Sequence, residues 1–324
     1  PFNFPLHLVC HKVGPAFAAG NAIILKPATD TPLSGLKVIE LLLDAGAPPE
    51  AIQCLTGSGS EIGDALCGDP CVRKITFTGS RDVGEHICKV AGLKKVTMEL
   101  GSNAPFVVMP DADPEKVAKA AAMSGYSNAG QVCISTQRVL AHTDIYADFV
   151  DAFKAETESI NTGNPMHAEN RMGPMIRQSD AERVQGWVTE AVKGGATLVT
   201  GGDCDGQIMQ PTVLEGVRPE MRISCDEVFG PVVGVTRVND IDEAIALAND
   251  TNYGLSAAIF TENVNWAMKY VRKVESGNIH VNWGTQWRAD LMPYGGLKDS
   301  GMGKEGPKYA VEEMTELKMC VFHL

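Results

Sequence analysis

The chain has 324 residues, 44% hydrophobic and 21% charged, which is ample material for a core and enough for two domains. A formal net charge of −12 excludes a nucleic-acid surface, whose phosphates it would repel, and offers acidic membranes no basic face. No apolar run approaches the roughly 18–20 residues that cross a bilayer. Nine scattered cysteines, with no zinc-type or disulfide spacing, point to reduced thiols in a cytoplasmic setting and to no metal site.

In chain order, Pro1-Phe2-Asn3-Phe4-Pro5-Leu6 has no helix start and reads as though the chain opens in mid-domain. Ala22–Leu25 reads as a short buried strand, and Pro32–Ala45, apolar at Leu33, Leu36, Ile39, Leu42 and Leu43, as a helix. Ile52–Leu55 is the next strand, and the turn Gly57-Ser58-Gly59-Ser60 leads into a helix over Glu61–Leu66. Val72–Phe77 is a strand with a helix opening at Gly79-Ser80, and Val96–Met98 is another strand. After Glu99 the alternation resumes with strands at Pro105–Met109, Arg138–Ala141, Ala196–Thr200 and Val232–Val238. Helices are expected at Pro114–Ala122, Ile145–Ile160, Ala181–Lys193 and Ile241–Asn249. Strand–turn–helix units repeated in this way imply α/β architecture with parallel, doubly wound sheets in two successive units. The tail Glu316–Leu324 is apolar and β-like, suited to pairing with an edge strand.

Three stretches carry candidate chemistry. Asn128-Ala129-Gly130-Gln131-Val132-Cys133 would hold a cysteine at a turn or helix start, where backbone N–H groups lower a thiol pKa and serve an oxyanion. A cysteine there also reads as a small buried hydrophobe. Glu99, between Met98 and Leu100 at a strand end, should be partly desolvated and so raised toward the range of a general base; it also reads as a surface carboxylate. Phe77-Thr78-Gly79-Ser80, and Gly57-Ser58-Gly59 with Gly63, are glycine-bearing turns into helices that favour phosphate, although such turns are common.

Taken together these segments resemble the aldehyde dehydrogenase superfamily over essentially the whole chain. The ordered set is Pro1–Pro5, Lys26-Pro27-Ala28, Phe77–Ser80, Glu99–Gly101, Gly130–Cys133, Glu227–Pro231 and Pro293–Gly301. The resemblance implies a Rossmann-type coenzyme domain over residues 1–100, incomplete at its N-terminal side, and an α/β catalytic domain over 101–298. Residues 299–324 would form a return segment with an oligomerisation strand in a homodimer or homotetramer. It implies oxidation of an aldehyde to a carboxylic acid with NAD or NADP. Cys133 would be the nucleophile, Asn3 an oxyanion donor and Glu99 the group that activates water. Lys26 and Ser80 would bind adenosine ribose and pyrophosphate, and Glu227, with Phe229 nearby, the nicotinamide ribose. Thr29, Gly59, Gly63, Phe77, Gly79 and Leu100 complete the expected coenzyme site.

Three departures refine the expectation. Thr29 stands where the family usually carries a glutamate that would repel a 2′-phosphate, which with Lys26 favours use or tolerance of NADP; Asp30 next door pulls the other way. Ser102-Asn103, together with Arg288–Gly296, looks like the branch of lactaldehyde, succinate-semialdehyde and non-phosphorylating glyceraldehyde-3-phosphate dehydrogenases. Arg288 then either binds an anionic tail on the aldehyde or pairs structurally with Asp290 or a backbone carbonyl, while Trp283, Gln286 and Trp287 are candidates for the pocket wall. The family is also about a third longer at its N-terminal side, so an unpaired sheet edge and open apolar faces are expected. Two other readings compete: a coenzyme-A-acylating enzyme, a type that usually lacks the glutamate at position 99, and a catalytically silent homologue with a structural or binding role.

Overall fold

The computed structural model describes residues 1–324, which divide into two compact units. The first comprises Pro1–Leu100, Arg288–Gly295 and Gly301–Leu324, and the second Gly101–Trp287 and Gly296–Ser300. No helix is long and apolar enough to cross a membrane.

The first unit begins with helix α1 (His7–Ala18), strand β1 (Ile23–Leu25), α2 (Pro32–Asp44) and β2 (Ile52–Cys54). It continues with α3 (Gly59–Gly68), β3 (Lys74–Thr78), α4 (Arg81–Ala91) and β4 (Lys95–Glu99). Strands β1 and β2 pair in parallel, as do β3 and β4. Val9, Val13, Ile39 and Ile52 form its small core between α1, α2 and β2. Helix α1 was not expected, because the opening stretch Pro1–Leu6 has no helix start. Pro5 precedes the first turn and Pro15 lies near the end, where it removes only one i→i−4 bond. The strand expected to be buried over Ala22–Leu25 is half-open instead: Ile24 is 48% exposed because β1 has one partner strand and a helix on one face.

The second unit is built on a seven-stranded sheet. Its strands and helices begin with β5 (Pro105–Val108), α5 (Pro114–Tyr126), β6 (Arg138–His142), α6 (Tyr146–Glu158), α7 (Gln178–Lys193) and β7 (Thr197–Thr200). The short pair β8 (Cys204–Asp205) and β9 (Ile208–Met209) precedes β10 (Thr212–Glu215), α8 (Arg222–Cys225) and β11 (Val232–Val238). Then come α9 (Ile241–Asn249), β12 (Tyr253–Gly254), β13 (Ser256–Phe260), α10 (Val264–Lys273), β14 (Asn278–Val281) and β15 (Leu297–Lys298). The sheet order is β14-β13-β5-β6-β11-β10-β7, parallel except where β7 meets β10. Helices start where the side-chain chemistry allows: the Asp113, Asp240 and Asn263 side chains each accept two N–H bonds from the first turn that follows. Phe106, Phe149, Phe153 and Tyr126 fill the core beneath α5 and α6, and the Tyr126 hydroxyl donates to the Thr212 carbonyl at 3.1 Å.

Back in the first unit, β16 (Gly301–Met302) pairs antiparallel with β4, and α11 (Pro307–Glu313) packs on α1. The tail expected as a strand has no regular structure within the chain: residues 316–324 are exposed and pair with no strand of it. An extended segment acquires ladder bonds only from a neighbouring edge.

Candidate active site

In the first unit, Glu99 closes β4, 3% exposed, and neither carboxylate oxygen has a hydrogen-bond partner. Burial first, and then the negative charge of Glu305, pushes its carboxyl well above the ordinary carboxylate range, against the pull of Lys12, Arg288 and Lys304. A Cβ on Gly295 would meet Glu99 Oε1, so glycine is what lets that segment pack so closely on the carboxyl. Asn3 is half-buried just ahead of the first turn of α1, which the Leu8 N–H opens by donating to the Phe4 carbonyl.

The expected coenzyme residues of this unit lie at the carboxyl ends of its parallel strands. Lys26 follows β1, and its Nζ donates to the Pro27 carbonyl at 2.9 Å. Exposed Thr29 lies 3.4 Å from the Gly57 carbonyl through its hydroxyl. Gly59 opens α3, and the space beside both Gly59 and Gly63 is open. Phe77 lies on β3, with its ring against Gly79, where any Cβ would collide. Leu100 packs in the same way onto Gly84 of α4. Ahead of α3 and α4, Ser58 shares a hydrogen bond with the Ser60 hydroxyl at 3.0 Å, but neither Ser58 nor Ser80 caps a first-turn N–H with its side chain. Two uncapped helix starts after parallel strands, with Lys26 at the end of another strand of the same unit, suit a pyrophosphate flanked by an adenosine ribose. These residues fit a dinucleotide.

In the second unit, Cys133 lies on a tight turn rather than at a helix start. The Ser135 N–H closes it on the Val132 carbonyl at 2.9 Å, and Cys133 is half-buried. The preceding residues Asn128, Ala129 and Gly130 all have left-handed backbones, with φ of 51°, 55° and 68°. For alanine this conformation costs roughly 1–2 kcal/mol. Gln131 holds it: its amide donates to the Asn128 carbonyl at 3.0 Å and its Oε1 accepts from the Ile176 N–H at 2.8 Å. A Cβ on Gly130 would collide with the Gly230 carbonyl, which ties this turn to the segment carrying Glu227 and Phe229.

Glu227 Oε1 accepts the Ser102 N–H at 2.9 Å, and Gly101 lies so close that a Cβ would strike the carboxylate. Burial pushes this carboxyl up to about 7, opposed by the Ser102 N–H and the nearby Arg183 guanidinium. Phe229, itself left-handed at φ 47°, borders the same cleft as Ser102, Gly130 and Glu227. Asn103 is structural, donating to the Ser224 and Cys225 carbonyls and accepting from the Thr251 hydroxyl. Of the residues offered as pocket wall, Gln286 donates to the Ser124 carbonyl at 2.6 Å, while Trp283 and Trp287 are about half exposed.

Arg288, in the first unit, pairs with neither Asp290 nor a backbone carbonyl. Its Nη1 and Nη2 each lie 3.3 Å from Glu305 Oε2, and its guanidinium stacks on Tyr294 at 3.9 Å. Lys12 donates to Glu305 Oε1 at 2.9 Å and His11 Nδ1 is 3.5 Å from Oε2. Sequence reasoning missed Glu305, Lys12 and His11. The one signal available was the i, i+4 spacing of His7 and His11 directly after Asn3-Phe4-Pro5.

Comparison with known proteins places this geometry. The model of the aldehyde dehydrogenase family matches residues 1–320. The 3-sulfolactaldehyde dehydrogenase of Priestia aryabhattai is 50% identical over 324 residues, covering all of this chain and 68% of that relative. A lactaldehyde dehydrogenase of Methanococcus maripaludis is 40% identical over 327 residues, covering 70% of its length. Glyceraldehyde-3-phosphate dehydrogenase of Methanocaldococcus jannaschii, crystallised with NADP, superposes with a TM-score of 0.95 at 39% identity over 98% of this chain and 70% of that one. Aldehyde dehydrogenase 21 of Physcomitrella patens, in complex with its reaction product succinate, does so with a TM-score of 0.93 at 41% identity over 98% of this chain and 66% of that one. The fold is the α/β aldehyde dehydrogenase fold, and the chain belongs to the aldehyde dehydrogenase family, as an NAD(P)-dependent oxidoreductase.

Proposed function

We propose that the protein oxidises a small aldehyde to the carboxylic acid through a covalent intermediate on Cys133. The observation that carries this reading is Glu99: a buried carboxyl with both oxygens unengaged and its pKa raised is a group prepared to take a proton. The Cys133 thiolate adds to the aldehyde carbon to give a thiohemiacetal. The Asn3 amide and the Cys133 backbone N–H hold the negative oxygen, each such donor being worth roughly 2.7–4 kcal/mol in a dry site. The nicotinamide coenzyme supplies the hydride acceptor. Glu99 then removes a proton from the water that attacks the resulting thioester, releasing the acid and the free thiol.

Residues 1–100 act as the coenzyme-binding domain and residues 101–298 as the catalytic domain. Lys26, Thr29 and the uncapped helix starts at Ser58 and Ser80 bind the adenosine side, and Glu227 with Phe229 the nicotinamide side. Lys26 beside Thr29, with no carboxylate at position 29, supports use or tolerance of NADP. The tail 315–324 exposes Leu317, Met319 and Val321 at alternate positions, a strand-like stripe that supports pairing with a second copy in a homodimer or homotetramer.

Rapid mixing of the full-length protein with an aldehyde panel and each coenzyme tests the reading. A burst of reduced coenzyme equal to the enzyme concentration is expected, followed by free acid, and both should vanish in Cys133→Ser. Persistence of turnover in that variant would overturn it. A large preference for NAD would remove the NADP assignment alone.

A further inference from the structure

Behind the Cys133 turn lies a row of three hydroxyls that the proposed mechanism does not use. Ser124 on α5, Thr136 just past the turn and Thr285 beyond β14 are each at most 1% exposed. Ser124 Oγ is 2.8 Å from Thr136 Oγ1, Thr136 Oγ1 is 2.9 Å from Thr285 Oγ1, and Thr285 Oγ1 is 2.7 Å from the Ile134 carbonyl. Further contacts hold the row in place. Ser256 on β13 donates to the Thr285 carbonyl at 2.8 Å, and Gly284 lies so near α5 that a Cβ would come within 3.1 Å of Ser124 Oγ.

The hydrogens give this row a direction. A carbonyl only accepts, so Thr285 spends its one hydroxyl hydrogen on Ile134. Thr285 must then accept from Thr136, and Thr136, its own hydrogen spent, must accept from Ser124. Ser124 Oγ also lies 2.7 Å from the Ala120 carbonyl, but that oxygen has its N–H partner in the α5 ladder, so the Ser124 hydrogen is available to Thr136. All three hydroxyls therefore donate one way, toward Ile134.

The row continues through the backbone. The Ile134 carbonyl and the Ser135 N–H belong to one planar peptide group, and that N–H donates to the Val132 carbonyl at 2.9 Å. The Val132 carbonyl in turn shares its peptide group with the Cys133 N–H. A bond accepted at a peptide oxygen makes the N–H of the same group a stronger donor, and aligned bonds reinforce one another by about 10–30% each. The whole row thus points, through these peptide groups, at the Cys133 N–H, an oxyanion donor of the proposed mechanism.

We infer that Thr285, backed by Thr136 and Ser124, is a positioning residue that acts through the Ile134 and Val132 peptide groups to strengthen the Cys133 N–H and aim it at the developing oxyanion. This rests on the proposed covalent mechanism and deepens it. Thr285 is fully buried behind the turn, so its influence reaches the reacting atoms through the backbone.

The test compares two reagents on Cys133 in the full-length protein, each rate being the part that Cys133→Ser abolishes. p-Nitrophenyl acetate acylates the thiolate through a tetrahedral oxyanion and loses p-nitrophenolate, whereas iodoacetamide alkylates it by displacement of iodide, with no oxyanion. Thr285→Val removes the hydroxyl at nearly constant shape. It should slow acylation roughly three- to tenfold relative to alkylation, less than the roughly 10²–10³-fold loss that follows deletion of an oxyanion donor. Thr136→Val and Ser124→Ala, one and two links farther back, should have smaller effects in that order, and Thr285→Ser should restore the ratio. If Thr285→Val does not fold, Thr136→Val, which leaves Ile134 its donor, decides by the same ratio. An unchanged ratio, whether both reactions slow equally or neither slows, overturns the inference, as does the absence of any Cys133-dependent acylation. The burst with aldehyde and coenzyme is read separately: its absence in the unaltered protein breaks the dehydrogenase reading, while the two-reagent ratio still decides the role of Thr285.

Discussion

Two carboxylates of the first unit, at the end of β4 and at Glu305, are buried to the same 3% and behave in opposite ways. Glu99 has no hydrogen-bond partner on either oxygen and is pushed toward its neutral form. Glu305 engages Lys12, His11 and Arg288, and its charge is held. Burial is common to both, so the difference comes from partners. A buried carboxylate that no cation touches and that faces another anion keeps its proton, whereas one in direct contact with cations gives it up. Structure spends Glu305 on binding the segment Arg288–Gly295 to α1. Glu99 is left unspent, and an unspent carboxyl is the one available to chemistry.

Removing each carboxylate in turn should break the comparison cleanly. The largest effect belongs to Glu99→Gln: steady-state turnover is expected to fall by roughly 10²–10⁴-fold while the first-turnover burst survives, since only thioester hydrolysis loses its base. The same change should leave urea stability equal or higher at neutral pH, because it removes the cost of ionising a buried carboxyl. Undiminished turnover in a folded Glu99→Gln protein would remove the assignment. Next comes Glu305→Ala, which strands Lys12 and Arg288 and should cost about 3–5 kcal/mol, read from the urea midpoint. The two sites also imprint opposite pH windows on stability. With its folded pKa lowered, Glu305 contributes stability present above the unfolded carboxyl pKa and lost as pH falls through the folded value. With its folded pKa raised, Glu99 contributes stability that is full below the unfolded pKa and lost as pH rises through the folded one. Glu305→Ala should therefore flatten the acid limb, and Glu99→Gln the limb above it. An unchanged acid limb in Glu305→Ala would show that these cations do not hold its charge.

Much of the architecture was legible where periodicity is strong: β11 and α9 fall on the residues their apolar patterns mark. Strand β13 escaped notice because Ser-Ala-Ala-Ile-Phe has modest β-propensity and owes its place to neighbours on both sides. Around the site, motif order singles out Cys133 and Glu99, but the means of presenting them is invisible in the chain. Nothing local announces that Asn128 and Ala129 adopt left-handed backbones, because the Gln131 clamp on Ile176 that holds them spans 45 residues. Arg288 shows the same limit. Sequence reasoning offers Asp290, two residues away, whereas the fold delivers Glu305 from 17 residues on. Near neighbours are overweighted whenever the partner is set by chain return.

Glu227 stands between the two extremes and sharpens the comparison with the smallest effect. Like Glu99 it is raised by burial, and like Glu305 it has partners, but only one N–H and one more distant cation, and the balance lands at about 7. If its carboxylate accepts the ribose hydroxyls, the charged form binds coenzyme better. Coenzyme affinity should then rise as pH increases through about 7, by at most about tenfold between about pH 6 and about pH 8. Glu227→Gln should remove that dependence and bind with a weaker, flat affinity, measurable by fluorescence titration without substrate. A dependence that survives the substitution would assign it elsewhere, and would mean that Ser102 and Arg183 already hold Glu227 charged throughout the range. In that case one backbone N–H and one neighbouring guanidinium would do for a half-buried carboxylate what takes two cations and an imidazole at Glu305.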